Sequence, residues 1–285
     1  MARLVSVMAT THNPRIFWNR DQADPADMKE LQRSFGVLRD SLAAAKPDAI
    51  IAIGNDHLDN FFFDNQPAFA IASGPEVEGP FWYEAEVMHL PAYRARVQRE
   101  LAEDLLRAGL EEGIAFTQTA ECRIDHAFTL PLSFLRPEQD IPVVPIITNV
   151  FGYPILPNNR WFELGKFLRR FVEMRPSQER IAIVASFNLT VEVGGPKMGN
   201  YNREFSDMLI ELMKAGDADT MLETLTVPRL IAEGNSTAEF LNYFAILGVM
   251  GSRKPTYISH KPVLGVGTDR KSTRLNSSHV ALSRM

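Results

Sequence analysis

The 285 residues suffice for one large α/β domain or two smaller ones with a substantial buried core. Hydrophobic residues make up 45% and charged residues 23%, the balance of an ordinary globular protein. A net charge of -5 without a basic run in the body of the chain argues against nucleic acid as a partner, and a single cysteine excludes disulfide frameworks and cysteine metal cages. No apolar run approaches membrane-spanning length and the N-terminus lacks a signal-peptide pattern, so we expect no membrane partner and a cytoplasmic protein.

Two predicted buried strands each lead to a histidine. Residues 3–8 form the first apolar run, which is followed by Thr11-His12, and residues 48–53 form the second, which is followed by Asn55-Asp56-His57. Because ligands bind at the carboxyl ends of strands in open α/β sheets, we expect both imidazoles at one polar site, with Phe61-Phe62-Phe63 as an apolar wall. An ordinary exposed loop histidine is the alternative interpretation.

The rest of the chain alternates apolar strands with amphipathic helices. This pattern predicts a single α/β domain over residues 1–268, with a central mostly parallel or mixed sheet flanked by helices. Residues 74–90 are expected to be irregular, with aromatic side chains that either pin the loop to the core or cover an aromatic substrate. The predicted helices start at Asp24-Pro25 and span 91–110, 158–174, 202–215, 217–225 and 238–250; the further strands span 69–73, 114–119, 141–148, 180–186 and 256–258.

His12, His57 and Glu239 are the candidate ligands of a metal ion. Glu239 lies in the first turn of the last predicted helix, where a carboxylate also suits the helix dipole without any further role. Two imidazoles and one carboxylate on one face of a metal leave the opposite face open, which is typical of non-haem Fe(II) enzymes that bind substrate and O₂ together. The three positions lie far apart in sequence, so only the fold can bring them together.

Five short motifs follow one another along essentially the whole body of the chain. They are Thr11-His12-Asn-Pro14, Asn55-Asp56-His57 with Phe61-Phe62, Asp125-His126 with Pro131-Leu132, Gly195-Pro196 through Asn202-Arg-Glu-Phe205, and Glu233-Gly-Asn through Glu239. In their order and spacing, these motifs together resemble the class III extradiol ring-cleaving dioxygenases. This is the family of the catalytic beta subunit of protocatechuate 4,5-dioxygenase.

The resemblance implies a chemistry and a set of site residues. In the family the first two histidines and the late glutamate hold Fe(II), which carries over to His12, His57 and Glu239. The histidine before the Pro-Leu pair, here His126, lies close to substrate and dioxygen. The family opens a catechol-type ring next to its hydroxyls, so the expected partners are a small aromatic substrate and O₂. We also expect a homo-oligomer, a dimer, and some relatives need a small partner subunit.

One departure from the family pattern affects proton transfer. The family has Gly-Gly-Leu-Ser-His after the strand that corresponds to residues 180–186, and an ungapped match places Val191 at the acid–base histidine. Valine cannot transfer a proton, and losing such a group typically costs about 10²–10⁴ in rate. We therefore expect a divergent dioxygenase of phenolic or catechol-type compounds. The candidates that stand in for the histidine are His126, Thr190 and Glu192, and the expected pocket residues are Phe187, Asn188 and Val191.

Other interpretations of the same residues stay open. A more acidic or differently activated ring needs no such base. Alternatively, ring cleavage is lost and the chain is a metal-binding scaffold without turnover. A third hypothesis is a hydrolase in which His12, His57 and Glu239 hold Zn²⁺ and activate water.

The C-terminal segment has a different origin. Residues 269–279 have the sequence Asp-Arg-Lys-Ser-Thr-Arg-Leu-Asn-Ser-Ser-His, which is the translation of a common adapter of DNA sequencing libraries. Such a segment suggests an assembled environmental (metagenome) read. We therefore expect residues 269–285 to be a non-native tail that contributes nothing to the core.

Overall fold

A computed structural model of the chain describes residues 1–18, 20–190, 192–194, 198, 202–251, 253–262 and 276–282. The strands are β1 (Arg3–Thr10), β2 (Ala49–Asn55), β3 (Phe69–Ala72), β4 (Glu76–Gly79), β5 (Tyr93–Arg96), β6 (Thr117–Thr119), β7 (Val143–Thr148), β8 (Arg180–Ser186), β9 (Tyr257–Pro262) and β10 (Asn276–Leu282). The helices are α1 (Arg15–Trp18), α2 (Pro25–Ala45), α3 (Trp82–Val87), α4 (Arg99–Glu111), α5 (His126–Leu135), α6 (Asn158–Met174), α7 (Arg203–Ala215), α8 (Ala218–Thr224), α9 (Val227–Ala232) and α10 (Leu241–Met250). Short 3₁₀ helices span Arg20–Gln22 and Thr237–Phe240.

One mixed sheet forms the centre of the molecule, in the strand order β6-β3-β7-β2-β8-β1-β10-β9. The strands β7, β2, β8 and β1 are parallel to their neighbours in this order. Their carboxyl ends therefore meet at one edge of the sheet, where β1 and β2 lie on either side of β8. The strand β3 runs antiparallel to β7, and the separate pair β4–β5 is also antiparallel. The α/β fold with a mixed sheet that the sequence predicts is confirmed.

Two helical layers cover this sheet. The helices α2 and α5 pack together and contact β1, β2 and β8, while α6 and α10 also pack together and contact β1. Because α10 contacts β2 and β8 as well, the two layers cover the same strands and must lie on opposite faces. Within the described part of the chain, no helix combines the length and apolar composition needed to cross a membrane.

The helix α10 is buried on every side, and close packing fixes its position. A side chain at Gly248 would lie 2.0 Å from the carbonyl oxygen of Phe162 on α6, and one at Gly165 would lie 1.9 Å from that of Ala245. Glycine at both positions lets the two helix backbones come together. The 3₁₀ helix that carries Glu239 leads directly into α10, so this packing also holds Glu239 in place.

Three local predictions differ from the structure. Residues 74–90 are not irregular, because they contain β4 and α3, and the helix predicted over 91–110 is a strand, β5, followed by the shorter α4. The helix α5 was not predicted. All but two of its residues are buried and it contains Pro131, so its sequence has no amphipathic stripe.

Part of the C-terminal segment, β10, forms a strand in the structure. The strand β10 pairs antiparallel with β1 on one side and with β9 on the other. Without β10, the sheet would contain the six strands β6, β3, β7, β2, β8 and β1, and β1 would lie at its edge. An edge strand presents unpaired backbone N–H and C=O groups that any extended segment can bind, whatever its sequence.

Candidate metal centre and active-site cavity

The ends of β1 and β2 deliver two histidines to one buried carboxylate. His12 Nε2 lies 3.0 Å from Glu239 Oε2, and His57 Nε2 lies 3.4 Å from Glu239 Oε1. The His12 and Glu239 side chains are buried, while 18% of the His57 side chain is exposed. The structure thus brings together the three residues that the sequence suggests as metal ligands.

Asp125 orients His57. Its Oδ2 accepts hydrogen bonds from the His57 backbone N–H at 2.8 Å and from Nδ1 at 2.9 Å. Its Oδ1 caps α5 by accepting from the Ala127 backbone N–H at 2.8 Å. Asn55 Nδ2 lies 3.5 Å from His57 Nδ1 and 3.2 Å from His57 Nε2. With Nδ1 donating to Asp125, Nε2 is the ring nitrogen of His57 that faces Glu239.

Ser186 plays the corresponding part for His12. Its Oγ lies 3.0 Å from His12 Nδ1 at the carboxyl end of β8. The Ser186 backbone carbonyl accepts a hydrogen bond of 3.0 Å from Asn242 Nδ2 on α10. The strand between β1 and β2 and the helix after Glu239 are therefore joined directly beneath the centre.

Asn188 links the carboxylate to the loop after β1. Its Nδ2 donates to Glu239 Oε2 at 2.7 Å, and its Oδ1 accepts from Thr11 Oγ1 at 2.7 Å. These two bonds fix which way the amide points and hold Oε2 between Asn188 and His12.

The charges at this centre depend on one another. Burial works against ionisation of Glu239, but His12 and His57 outweigh it and hold the pKa of the carboxyl well below its usual range. Burial would lower the pKa of His57, yet the Asp125 and Glu239 carboxylates hold it well above the ordinary value. For His12, burial prevails and lowers the pKa despite the nearby Glu239. Two buried carboxylates thus favour a cation among these imidazoles.

The donor atoms fit a metal ion. Nitrogen and oxygen ligands bind a metal at about 2.1 Å, so two ligand atoms at right angles lie about 3 Å apart. The nitrogens of both imidazoles lie at similar distances from the Glu239 oxygens. His57 Nε2 and Glu239 Oε1 can face each other favourably only across a proton or a metal ion. The Nδ1 atoms of His12 and His57 contact Ser186 and Asp125, and metal-bound histidines usually have such a partner on the second ring nitrogen.

A third histidine, His126, and a third buried carboxylate, Glu84, lie next to this centre. The ligand atoms of His12, His57 and His126 lie within 4.8 Å of one another, and the rings of His57 and His126 stack with centroids 3.9 Å apart. Glu84 Oε1 accepts from His126 Nδ1 at 2.6 Å and from the His126 backbone N–H at 2.9 Å. Since Nδ1 donates to Glu84, Nε2 is the nitrogen of His126 that is free to accept a proton.

The centre opens onto a cavity of about 670 Å³. This volume suits a small organic molecule. Tyr83 lies on its wall and donates to both carboxylate oxygens of Asp59, at 3.0 and 2.8 Å, so at least one aromatic side chain of residues 81–83 faces the site. The described lining residues include Asn13, Arg15, His57, Phe63, Tyr83, Met88, His126, Phe151, Asn188, Glu192, Asn235 and Glu239.

The other residues proposed from the sequence have different positions. Asn188 and Glu192 line the cavity, and Glu192 Oε2 accepts from the Asn235 backbone N–H at 2.9 Å. Phe187 is fully buried against Phe240 instead, with ring centroids 5.5 Å apart. Thr190 is also buried, with Oγ1 2.9 Å from Ser206 Oγ. Val191 lies outside the described residues.

The residues that orient the histidines were not predicted from the sequence. Ser186 was only the end of a predicted strand, and Glu84 lay in a segment expected to be irregular. Asp125 belongs to one of the stretches that carry the family resemblance, directly before His126, and its role as the cap of α5 was a signal that could have found it.

Comparisons with known proteins bear on the family and the fold of this chain. A family model described as the catalytic LigB subunit of aromatic ring-opening dioxygenase matches residues 6–269. A crystal structure of an uncharacterized protein from Escherichia coli K12 superposes with a TM-score of 0.61 at 16% identity, over 97% of this chain and 99% of that one. That likeness supports the fold alone.

Three curated relatives share the name 2,3-dihydroxyphenylpropionate/2,3-dihydroxicinnamic acid 1,2-dioxygenase. The Photorhabdus laumondii protein is 24% identical over 242 residues, covering 84% of this chain and 73% of the relative. The Klebsiella pneumoniae protein is 28% identical over 188 residues, covering 66% and 57%. An Escherichia coli protein is 26% identical over 203 residues, covering 70% and 60%. For the last two, this chain therefore spans less than two thirds of the relative's length.

Proposed function

Because this chain belongs to the family of catalytic LigB subunits of aromatic ring-opening dioxygenases, we propose that it is a non-haem Fe(II)-dependent dioxygenase acting on a catechol-type compound. The observation that carries the proposal is the meeting of His12 and His57 at Glu239, on the wall of the cavity. The extradiol position of cleavage follows from the sequence resemblance and is part of the same proposal. We also propose a cytoplasmic location, a homodimer and a possible small partner subunit.

In this proposal His12, His57 and Glu239 hold the iron. Two imidazoles and one carboxylate with open positions form the donor set typical of non-haem Fe(II) oxygenases. Bound Fe(II) would bring the ring hydroxyls and O₂ together and pass electrons between them. Asp125 and Ser186 act as positioning residues, because they hold the Nδ1 atoms so that both Nε2 atoms face Glu239.

His126 is the group that we propose to accept a proton from the substrate. Its imidazole lies on the cavity wall beside His57, and Nε2 is left to accept because Nδ1 donates to Glu84. The buried Glu84 carboxylate would stabilise the imidazolium that forms, as a carboxylate does for a catalytic histidine elsewhere. Glu192 is the second candidate because it also lines the cavity, whereas Thr190 is turned to Ser206.

The role of Val191 rests on the sequence alignment alone. We propose that it occupies the place of the family's acid–base histidine, so that ordinary catechols with two protonated hydroxyls are poor substrates. The loss of the histidine matters less for a substrate whose hydroxyl is already ionised when it binds, or for one that binds through a single oxygen. Proton transfer through His126 would then set the rate for the remaining substrates.

The test is metal analysis followed by O₂ uptake. The protein is purified without oxygen, its iron and zinc are measured, and O₂ consumption is followed with a panel of catechols. We expect stoichiometric iron and a ring-opened product that contains both oxygen atoms. Bound iron without O₂ uptake on any substrate would favour the metal-binding scaffold, and bound zinc with hydrolysis of an ester or amide would favour the hydrolase.

A further inference from the structure

The cavity wall contains a buried arginine without an anionic partner. Arg15 is the first residue of α1, follows His12 by three positions and lines the cavity. Only 9% of the residue is exposed, and its Nη1 is shielded from solvent without a hydrogen-bond partner. Among the described residues, no ion pair or side-chain hydrogen bond satisfies this guanidinium. The mechanism proposed above makes no use of it.

An unpaired guanidinium is costly at such a place. Arginine stays protonated in proteins, so it cannot relieve the cost of burial by losing its charge. Burial lowers the pKa of Arg15, and no neighbouring carboxylate counteracts that effect. A buried cation is normally paired with an anion, and the planar fork of arginine matches a carboxylate through two parallel hydrogen bonds.

The acidic groups on the described cavity wall already have other partners. Glu239 accepts from Asn188 and faces both His12 and His57. Glu192 accepts from the Asn235 backbone N–H. The other described polar lining residues are histidines or neutral side chains such as Asn13. Among the described lining residues none supplies an anion for Arg15, so a bound molecule would supply it.

We propose that Arg15 binds a carboxylate on the side chain of the aromatic substrate and thereby selects acidic catechols over neutral ones. The aromatic part of this proposal rests on the proposed function; the anion site rests on Arg15 itself. Three peptide units join His12 to Arg15, so their Cα atoms lie at most about 11 Å apart. One small molecule can therefore direct its hydroxyls to the histidines and a short acidic side chain to Arg15, and the cavity of about 670 Å³ has room for it.

The kinetic test compares an acid with its neutral counterpart. 3-(2,3-Dihydroxyphenyl)propionate and its methyl ester have nearly the same shape but differ by one charge. We expect Arg15→Gln to lower kcat/KM for the acid by about 10- to 100-fold, the usual worth of a hydrogen-bonded charge, mainly through KM. The value for the ester should stay nearly unchanged. Arg15→Lys keeps the charge without the fork and should fall between wild type and Arg15→Gln.

A binding test separates this inference from the ring chemistry. 3-Phenylpropionate has no hydroxyls and needs no iron, so calorimetry with the metal-free protein reports on the anion site alone. We expect it to bind wild type at least about tenfold more tightly than Arg15→Gln, and 3-phenylpropanamide to bind both equally. The exposed Arg20→Gln is the matched control and should behave as wild type.

Two results would overturn the inference. One is equal binding of 3-phenylpropionate to wild type and Arg15→Gln when circular dichroism shows both to be folded. The other is an unchanged preference between acid and ester in Arg15→Gln and Arg15→Lys. If wild type oxidises neither compound but binds 3-phenylpropionate through Arg15, the proposed dioxygenase function fails while the anion site stands.

Discussion

His12 Nε2 lies 3.0 Å from Glu239 Oε2, although 227 positions separate the two residues in the chain. The contact forms because β1 ends at the sheet edge where the helix that follows Glu239 packs. A donor set assembled in this way exists only when the N-terminal strand and the last helix are both in place. Metal binding should therefore report on the folded protein and stabilise it.

Glu239→Ala should abolish retention of the metal. The substitution removes the only carboxylate among the three proposed ligands and leaves two imidazoles to hold the ion. The measurement is iron content by elemental analysis after loading and gel filtration without oxygen. Glu223→Ala, at an exposed position on α8, is the matched control and should retain iron. Unchanged iron in Glu239→Ala would refute the proposed ligand set.

Asp125→Asn should weaken metal binding without unfolding α5. Asparagine caps helices about as well as aspartate, so the bond to the Ala127 backbone N–H can persist. The negative charge that holds His57 Nδ1 is lost, and changes of this kind typically cost about 10- to 100-fold in metal affinity. Competition with a chelator measures the affinity. Asp24→Asn makes the same change at the cap of α2 and should have no effect on the metal. Equal affinity in both variants would show that Asp125 does not orient the ligand.

Most of the sheet could be predicted from the sequence because its inner strands are continuous apolar runs. The strands β1, β2, β7 and β8 are buried over nearly their whole length, so their apolar runs are easily recognised. The region of β4, α3 and β5 was missed because elements of four to six residues are too short for a periodic pattern to identify.

The site could be predicted only in part for a related reason. His12 and His57 follow recognisable strands, and Glu239 begins a helix, so local signals pointed to each of them. Glu84 matters because it holds His126, which lies 42 positions away in the chain. Ser186 matters because it holds His12, which lies 174 positions away. Contacts over such distances leave no local pattern, and a buried arginine such as Arg15 looks like any other charged residue until its surroundings are known.

His126→Gln should lower the rate of ring cleavage without loss of iron. Glutamine retains polarity at the cavity wall but cannot accept and return a proton, and such losses typically cost about 10²–10⁴ in rate. Steady-state O₂ uptake and iron content are measured on the same sample. His89→Gln, at an exposed position, serves as the control. Loss of iron in His126→Gln would instead place His126 among the ligands, as its proximity to His12 and His57 allows.

Deletion of residues 269–285 should leave the melting temperature nearly unchanged. The segment has the sequence of a translated adapter, and the family match ends at residue 269. The strand β10 pairs with β1 through the backbone and its sequence is largely polar, so we expect little stabilisation from it. Thermal unfolding of the full chain and the truncated chain is the measurement. A drop of several degrees would show that β10 is a working part of the sheet.

Val191→His should raise the cleavage of a simple catechol. If Val191 stands where the family has its acid–base histidine, the new imidazole can take the proton of the second hydroxyl. The gain is bounded by the roughly 10²–10⁴ typical of such groups. It should fall short of that bound, because Phe187 and Asn188 replace two glycines of the family pattern, and both are fixed, one in the core and the other by Thr11 and Glu239. The measurement is O₂ uptake with unsubstituted catechol, with Val191→Ala as the control for lost volume. Strong catechol cleavage by the unmodified chain, with no further gain in Val191→His, would show that the missing histidine does not determine its chemistry.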